Sequence, residues 1–292
     1  MERMREEAKM SNKLAVTGLN DPIAQTLFIP LYMKSCQSKL KDAFFSDPWA
    51  CALIEQFDYD FSSFDQSVLS SVGVAIRAGY FDRLTTDIIA AAQSCVVVNL
   101  GAGLDARFQR VQMLMGNTME VKAWFYNLDL PEVIALREQL LPSDSSETCI
   151  SASVFDSDWM DELNARHQGA TFVFIAEGLL MYFDNCQVQQ LLQELASRFP
   201  GCHILFDGIS RWMRDNSDNH DSVKYAGAGF KLALDSPREI EQWHGKLKVI
   251  SVAHYADFKE WKRVGCFNYL LSKYIPKYFH SSFLVHACVE LP

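Results

Sequence analysis

Several features that would announce a function are missing from this 292-residue chain. Its eight cysteines form no C-x-x-C pair and several sit inside apolar runs, so they read as reduced thiols and a cytoplasmic location is expected. Its seven histidines show no H-x-x-x-H or Cys/His spacing, and no metal is expected. No apolar run approaches the roughly eighteen residues that a bilayer span requires, so a membrane partner is not expected. Lys and Arg nowhere cluster densely enough to neutralise several phosphates, and the formal net charge is −9; nucleic acid is not an expected partner. Neither internal repeats nor a low-complexity linker divides the chain, which argues against tethered domains.

What is present is apolar: 49% of the residues are hydrophobic, ample for a buried core. Four short runs rich in β-branched and aromatic residues predict buried strands at 95–100 (CVVVNL), 124–128 (WFYNL), 171–176 (TFVFIA) and 203–207 (HILFD), with a weaker one at 148–154. Helical patterns lie between them. Residues 132–141 follow Pro131, suited to a first helical turn, and 186–199 carry Val188, Leu191, Leu192, Leu195 and Phe199 at spacings of three and four. Strands buried on both faces and alternating with amphipathic helices predict an α/β fold with a doubly wound, mostly parallel sheet. Further strands are expected at LKVISVAHY and SSFLVHACVEL. The organisation expected is an N-terminal helical extension or cap over residues 1–90 and a core over 91–292. A lid at about 211–245 would hinge on the glycines of KYAGAGFKLAL.

The stretch VVVNLGAGLDARF (96–108) is a strand running into a glycine turn and then a helix. Such a turn brings free backbone N–H groups close to a ligand, at the strand ends where open α/β sheets bind theirs. Gly101, Gly103 and Ala106 satisfy the dinucleotide pattern G-x-G-x-x-G/A. Asp105 in the same turn would repel a pyrophosphate and attract a cation, and S-adenosylmethionine carries both a sulfonium and an ammonium. Asp129, ending the next strand, is placed to accept from two ribose hydroxyls. The cofactor expected is S-adenosyl-L-methionine. An NAD(P)-dependent oxidoreductase and a non-catalytic S-adenosylmethionine-binding protein stand as alternatives.

Three blocks in order, VVNLGAGLDAR, YNLDLPEVI and AEGLLMYF, resemble the leucine carboxyl methyltransferase family, which includes polyketide-type carboxyl O-methyltransferases. FSDPWACALIEQFDYDF and AIRAGYFD, nearer the N-terminus, are similar to further blocks of that family, so the likeness covers roughly residues 15–210. It implies a class I methyltransferase, Rossmann-like, with seven strands and the last antiparallel. Carried over by position, it implies Arg77 on the cofactor carboxylate, Gly101 at its amino-acid part, Gly103 in the same cofactor-binding turn and Asp129 on the ribose. Glu177 would lie near the methionine portion, with Ser153 and Val154 beside the adenine where many relatives have Asp-Leu. The expected reaction is O-methylation, with a small-molecule or peptide carboxylate as acceptor. In-line transfer from a sulfonium asks chiefly for alignment, and a carboxylate acceptor needs no base. Arg211, Tyr182 and Tyr225 are the residues expected to bind that acceptor. His203 and His254 would be bases only for a hydroxyl acceptor, and their apolar strand settings suit structural roles better.

Overall fold

The computed structural model describes residues 14–15, 21–116, 122–142, 144–216 and 229–291. Seven strands form one sheet: β1 (Ser94–Leu100), β2 (Lys122–Asp129), β3 (Glu147–Ser151), β4 (Thr171–Ala176), β5 (His203–Ile209), β6 (Leu247–His254) and β7 (Ser282–Val289). Their spatial order is 3-2-1-4-5-7-6. Strands β1 to β5 run parallel to one another, whereas β7 runs antiparallel to both β5 and β6. Strand β6 therefore points the same way as the first five. The chain builds outward through β1, β2 and β3, then returns to lay β4 on the other side of β1, which opens a crevice beyond the carboxyl ends of β1 and β4.

Both faces are covered, which is why the central strands read as unbroken apolar runs. On one face α6 (Asp158–Arg166) and α7 (Asn185–Arg198) pack Trp159, Leu163, Val188 and Leu195 against Val96, Val98 and Phe174. On the other, Phe81, Ile88 and Ile89 of α3 (Val68–Ala91) join Phe108 and Val111 of α4 (Arg107–Met115) over Val97 and Ile175. Helix α3 has buried residues on more than one side because it lies between the sheet and other elements. In front of the glycine turn, α1 (Phe28–Ser38) and α2 (Pro48–Ile54) form a separate cluster with Leu104 and with Val133 of α5 (Pro131–Leu140). The N-terminal helices are thus packed directly on the loops that follow β1 and β2.

Local sequence sets the ends of these elements. Pro131 opens α5, and Asp184 with Gln187 forms a capping box at the start of α7. Strand β3 stops at Ser151 rather than running to Val154. The Asp156 carboxylate accepts from Ser153 N at 3.0 Å while Asp156 N donates to Ser153 O, and this small turn removes both groups from the ladder. Ser153 and Val154 consequently sit on a loop at the strand end.

Candidate functional site

A cavity of about 850 Å³ occupies the crevice, near the upper end of the usual range for small-molecule sites. Its floor is the glycine turn. Gly101 has φ +62°, and a Cβ there would come within 2.6 Å of the Leu179 side chain, so both the turn and the approach of the β4 loop require glycine. Gly103 N donates to Asp129 Oδ2 at 2.7 Å, and Leu130 N donates to Asp129 Oδ1 at 2.8 Å. Both carboxylate oxygens are thereby fixed, each with acceptor capacity left over. Burial pushes the Asp129 carboxyl up, and the two backbone N–H groups oppose that shift.

Along one wall runs a chain of buried charge. Lys34 of α1 pairs with Asp105, which also meets Arg110 at 2.7 Å and Arg107 at 3.2 Å. Arg107 bridges Asp82 and Glu177, while Arg110 reaches Asp82 and Asp47. Arg77 of α3 closes the chain, with Nη1 2.7 Å from Asp207 Oδ2 and Nε 3.2 Å from Glu177 Oε1. That Nε lies off the hydrogen-bond direction and is buried without a hydrogen-bond acceptor. Gly178 N donates to the other oxygen of Asp207 at 2.6 Å, and a Cβ on Gly178 (φ +66°) would fall 2.9 Å from Arg77 Nη2. Four bases, Lys34, Arg77, Arg107 and Arg110, thus face five acids, Asp47, Asp82, Asp105, Glu177 and Asp207. With every group ionised, the cluster carries one net negative charge beside the cavity.

This arrangement corrects the electrostatic reading of the turn. Asp105 does not present a lone charge to a ligand: Arg110, Lys34 and Arg107 overcome its desolvation and hold it well below the usual carboxylate range. Any attraction for a cation comes from the balance of the whole cluster. Glu177 is likewise held low by Arg77 and Arg107 against its burial. The desolvation of so many charges is offset only while each keeps its partners.

Of the other residues singled out in the sequence, Ser153 and Val154 line the cavity together with Ala152 and Phe155. The Ser153 hydroxyl accepts from Phe155 N at 3.2 Å, leaving its proton to donate. Tyr182 also lines it, buried, with its phenol pushed up by burial and hydrogen-bonded to Thr26. Arg211 departs from its expected place. It does not line the cavity; its guanidinium pairs at the surface with Asp235 and, at 2.8 Å, with Glu239, two acids that satisfy it without any ligand. Tyr225 lies outside the described residues. His203 and His254 do not line the cavity either: His203 faces His286 across the sheet at 2.9 Å, and His254 packs on the Phe279 ring.

Three further residues of the site escaped sequence reading. Asp207 closes the apolar run HILFD, two residues before the end of β5, much as Asp129 closes its own run at the end of β2, and that position could have flagged it. Lys34 is the one charge in the helix FIPLYMKSCQS, a visible signal for a buried partner. Tyr255, which lines the cavity beside Arg77, follows β6, and only the antiparallel placement of β7 reveals that β6 ends at the same edge. The remaining wall is aromatic and apolar: Trp212, Met213, Phe230, Trp261, Tyr278 and Phe279 line it. Trp212 and Tyr278 meet edge-on at 5.0 Å, and Trp261 Nε1 donates to Ser272 Oγ at 2.9 Å. Among the described residues no three His, Cys, Asp or Glu side chains are grouped to hold a metal ion.

Strand order, glycine turn and strand-end acids define an S-adenosylmethionine-type methyltransferase fold, and solved structures share it. A candidate methyltransferase from Thermobifida fusca superposes over 97% of both chains with a TM-score of 0.55 and 15% identity. A DUF574-family protein from Streptomyces avermitilis covers 91% of this chain and 97% of its own, with a TM-score of 0.56 and 12% identity. In sequence, the tetracenomycin polyketide synthesis O-methyltransferase TcmP of Streptomyces glaucescens is 27% identical over 232 residues, spanning 80% of this chain and 81% of its own. The leucine carboxyl methyltransferase family model matches residues 21–196, more than half of the chain, and the chain belongs to that family. It is an S-adenosylmethionine-dependent methyltransferase, and membership displaces the nicotinamide alternative that the glycine pattern had left open.

Proposed function

We propose that the protein transfers the methyl group of S-adenosylmethionine to a carboxylate oxygen, forming a methyl ester. One observation carries this reading: among the described residues the cavity offers no side chain free to act as a base. No described histidine lines it. Asp105, Glu177 and Asp207 are each tied to arginine or lysine, and Asp129 holds two backbone N–H groups. Asp21 caps a helical turn through Ile23 N and Ala24 N at 2.7 and 3.0 Å. An alcohol or phenol would have to lose its proton to one of these occupied groups, whereas a carboxylate arrives ionised.

The residues fit the cofactor. Asp129 accepts from the ribose hydroxyls with oxygens already fixed by Gly103 and Leu130. Ala152, Ser153, Val154 and Phe155 make a mostly apolar slot with one hydroxyl donor for the adenine. Arg77 takes the cofactor carboxylate, and Gly101 leaves room for its amino-acid part. Glu177 and the net negative charge of the cluster favour the ammonium and sulfonium. The bound cofactor supplies an electrophilic methyl group with a leaving group activated by its positive charge. The protein aligns the acceptor with that methyl and excludes water. Tyr182 forms part of the acceptor wall. Residues 1–90 act as a cap and 211–245 as a lid on the core of 91–292; of the cap, 1–13 and 16–20, and of the lid, 217–228, lie outside the described residues.

The test works with an unidentified acceptor. Purified protein is incubated with methyl-labelled S-adenosylmethionine and a fractionated small-molecule extract, and labelled products are treated with mild alkali. Release of labelled methanol is expected. Alkali-stable label would overturn the carboxylate assignment and leave the methyltransferase assignment standing.

A further inference from the structure

Part of the cavity mouth is built by a segment unlike the rest of the surface. Residues 259–277, KEWKRVGCFNYLLSKYIPK, hold Lys259, Lys262, Arg263, Lys273 and Lys277 against the single acid Glu260, in a chain whose net charge is −9. Within it, helix α8 (Cys266–Tyr274) has no buried residue. One side of that helix supplies Asn268, Leu271 and Ser272 to the cavity wall. Other positions turn apolar groups outward: Phe267 is 73% and Tyr274 69% exposed, with Leu270 and Ile275 exposed beside them. Leu69, which lines the same cavity, and its neighbour Val68 are exposed on α3. Six of the twelve large hydrophobic side chains exposed among the described residues thus belong to this mouth or to the segment bordering it.

The basic groups are mostly not neutralised. Lys262 and Lys273 lie over the Tyr269 ring at 5.8 and 5.4 Å, and Lys277 lies over Trp212 and Tyr278. Such contacts direct the ammonium groups without cancelling their charge. Arg263 pairs with Asp42, and Lys259 lies 3.9 Å from Glu260. An exposed helix carrying Phe, Leu and Tyr, flanked by lysines, has the composition of an interfacial helix that settles among acidic headgroups.

We propose that α8 and its lysine-rich flanks dock the protein on an anionic phospholipid surface, with the cavity mouth facing the lipid. This departs from the expectation of no membrane contact, and it concerns surface docking only: no described helix is long and apolar enough to cross a bilayer. The occupant is argued from charge complementarity: a basic, apolar patch on an acidic protein selects a surface that is both negative and apolar. The placement also gives an apolar acceptor a direct path from lipid to the aromatic wall of the cavity, a consequence that rests on the proposed function, whereas the docking itself does not.

The test is co-sedimentation of the full chain with vesicles of phosphatidylglycerol and phosphatidylcholine, or of phosphatidylcholine alone, at low and at moderate salt. Partitioning about tenfold stronger on the anionic vesicles is expected, falling as salt screens the lysines. The pair Lys273→Glu and Lys277→Glu should remove the preference for anionic lipid, and Phe267→Ser with Leu270→Ser should lower the partitioning several-fold. S-adenosylhomocysteine binding by the same variants shows that they remain folded. No sedimentation with anionic vesicles at low salt, equal binding to neutral ones, or variants that bind as the wild type does would each overturn the proposal. Capture of an acidic protein without vesicle binding would overturn it too. Because the readout is lipid binding, an alkali-stable methylated product would leave it untouched, and the two proposals fail independently.

Discussion

The two halves of the cavity are built on different physics. The half around the glycine turn is held by ionised groups whose partners are supplied by the protein itself: Asp129 by two backbone N–H groups, and Arg77, Arg107 and Arg110 by buried acids. The half formed after β5 is held by shape, with Trp212 against Tyr278 and Trp261 tied to Ser272. Buried ion pairs lose much when one member is removed and permit little variation in position. Aromatic walls tolerate exchange of one bulky side chain for another and define volume rather than charge. On the proposed reading the first half holds the cofactor and the second the acceptor.

Breaking the charged half should be the most damaging. Arg107 is fully buried and touches Asp82, Asp105 and Glu177; Arg107→Ala would take one cation from all three, leaving Asp82 to Arg110, Asp105 to Arg110 and Lys34, and Glu177 to Arg77, and is expected to cost about 3–5 kcal/mol of stability, read from urea denaturation. A loss below about 1 kcal/mol, within the range for exposed pairs, would show that the cluster is solvated and that the two halves do not differ in this way. Next in size, Asp129→Asn keeps the shape but can accept through one oxygen only, so it should weaken S-adenosylhomocysteine binding by about 1.5–3 kcal/mol while folding is preserved.

The aromatic half should respond differently. Trp212→Ala removes one side of the Trp212–Tyr278 pair and is expected to raise the acceptor KM by about 0.5–1.5 kcal/mol equivalent, with cofactor affinity unchanged. Steady-state kinetics at saturating cofactor would show this, once an acceptor is in hand. A fall in cofactor affinity instead would mean that the two halves are one.

A pair outside both halves should act on stability and leave binding alone. His203 and His286 meet at 2.9 Å between β5 and β7, and burial with the neighbouring imidazole pushes His286 down to about 4. In the unfolded chain that histidine takes up its proton near pH ~6.5. Between these values the unfolded state binds more protons, so stability is fully present above pH ~6.5 and falls as pH drops toward about 4. His286→Asn should flatten that part of the pH–stability curve without altering cofactor affinity at neutral pH; an unchanged curve would show that the pair already carries its charge.

Sequence reading reached the charged half more readily than the aromatic one, for a physical reason. Strand-end positions such as Asp129 and Glu177 are marked by abrupt polarity after an apolar run, and Gly101 by the backbone conformation its turn requires. What the sequence hid was partnership. Arg107 and Arg110 follow the glycine turn in plain view, yet their acids Asp47 and Asp82 come from other helical segments, and nothing local announces a buried pair at such separation. Arg211 illustrates the opposite failure: it stands at the right end of the sheet, but Asp235 and Glu239, some two dozen positions on, claim it. The aromatic wall is assembled from segments beyond β5 whose apolar residues look in sequence like ordinary core.

The most direct test is calorimetric titration of S-adenosylhomocysteine into the wild-type protein, Asp129→Asn and Trp212→Ala under one set of conditions. Binding to the wild type, a loss of about tenfold or more in Asp129→Asn and an unchanged constant in Trp212→Ala are the predicted results. Equal affinities for the wild type and Asp129→Asn, or a loss in Trp212→Ala as large as in Asp129→Asn, would contradict the division of the cavity into a cofactor half fixed by charge and an acceptor half fixed by shape.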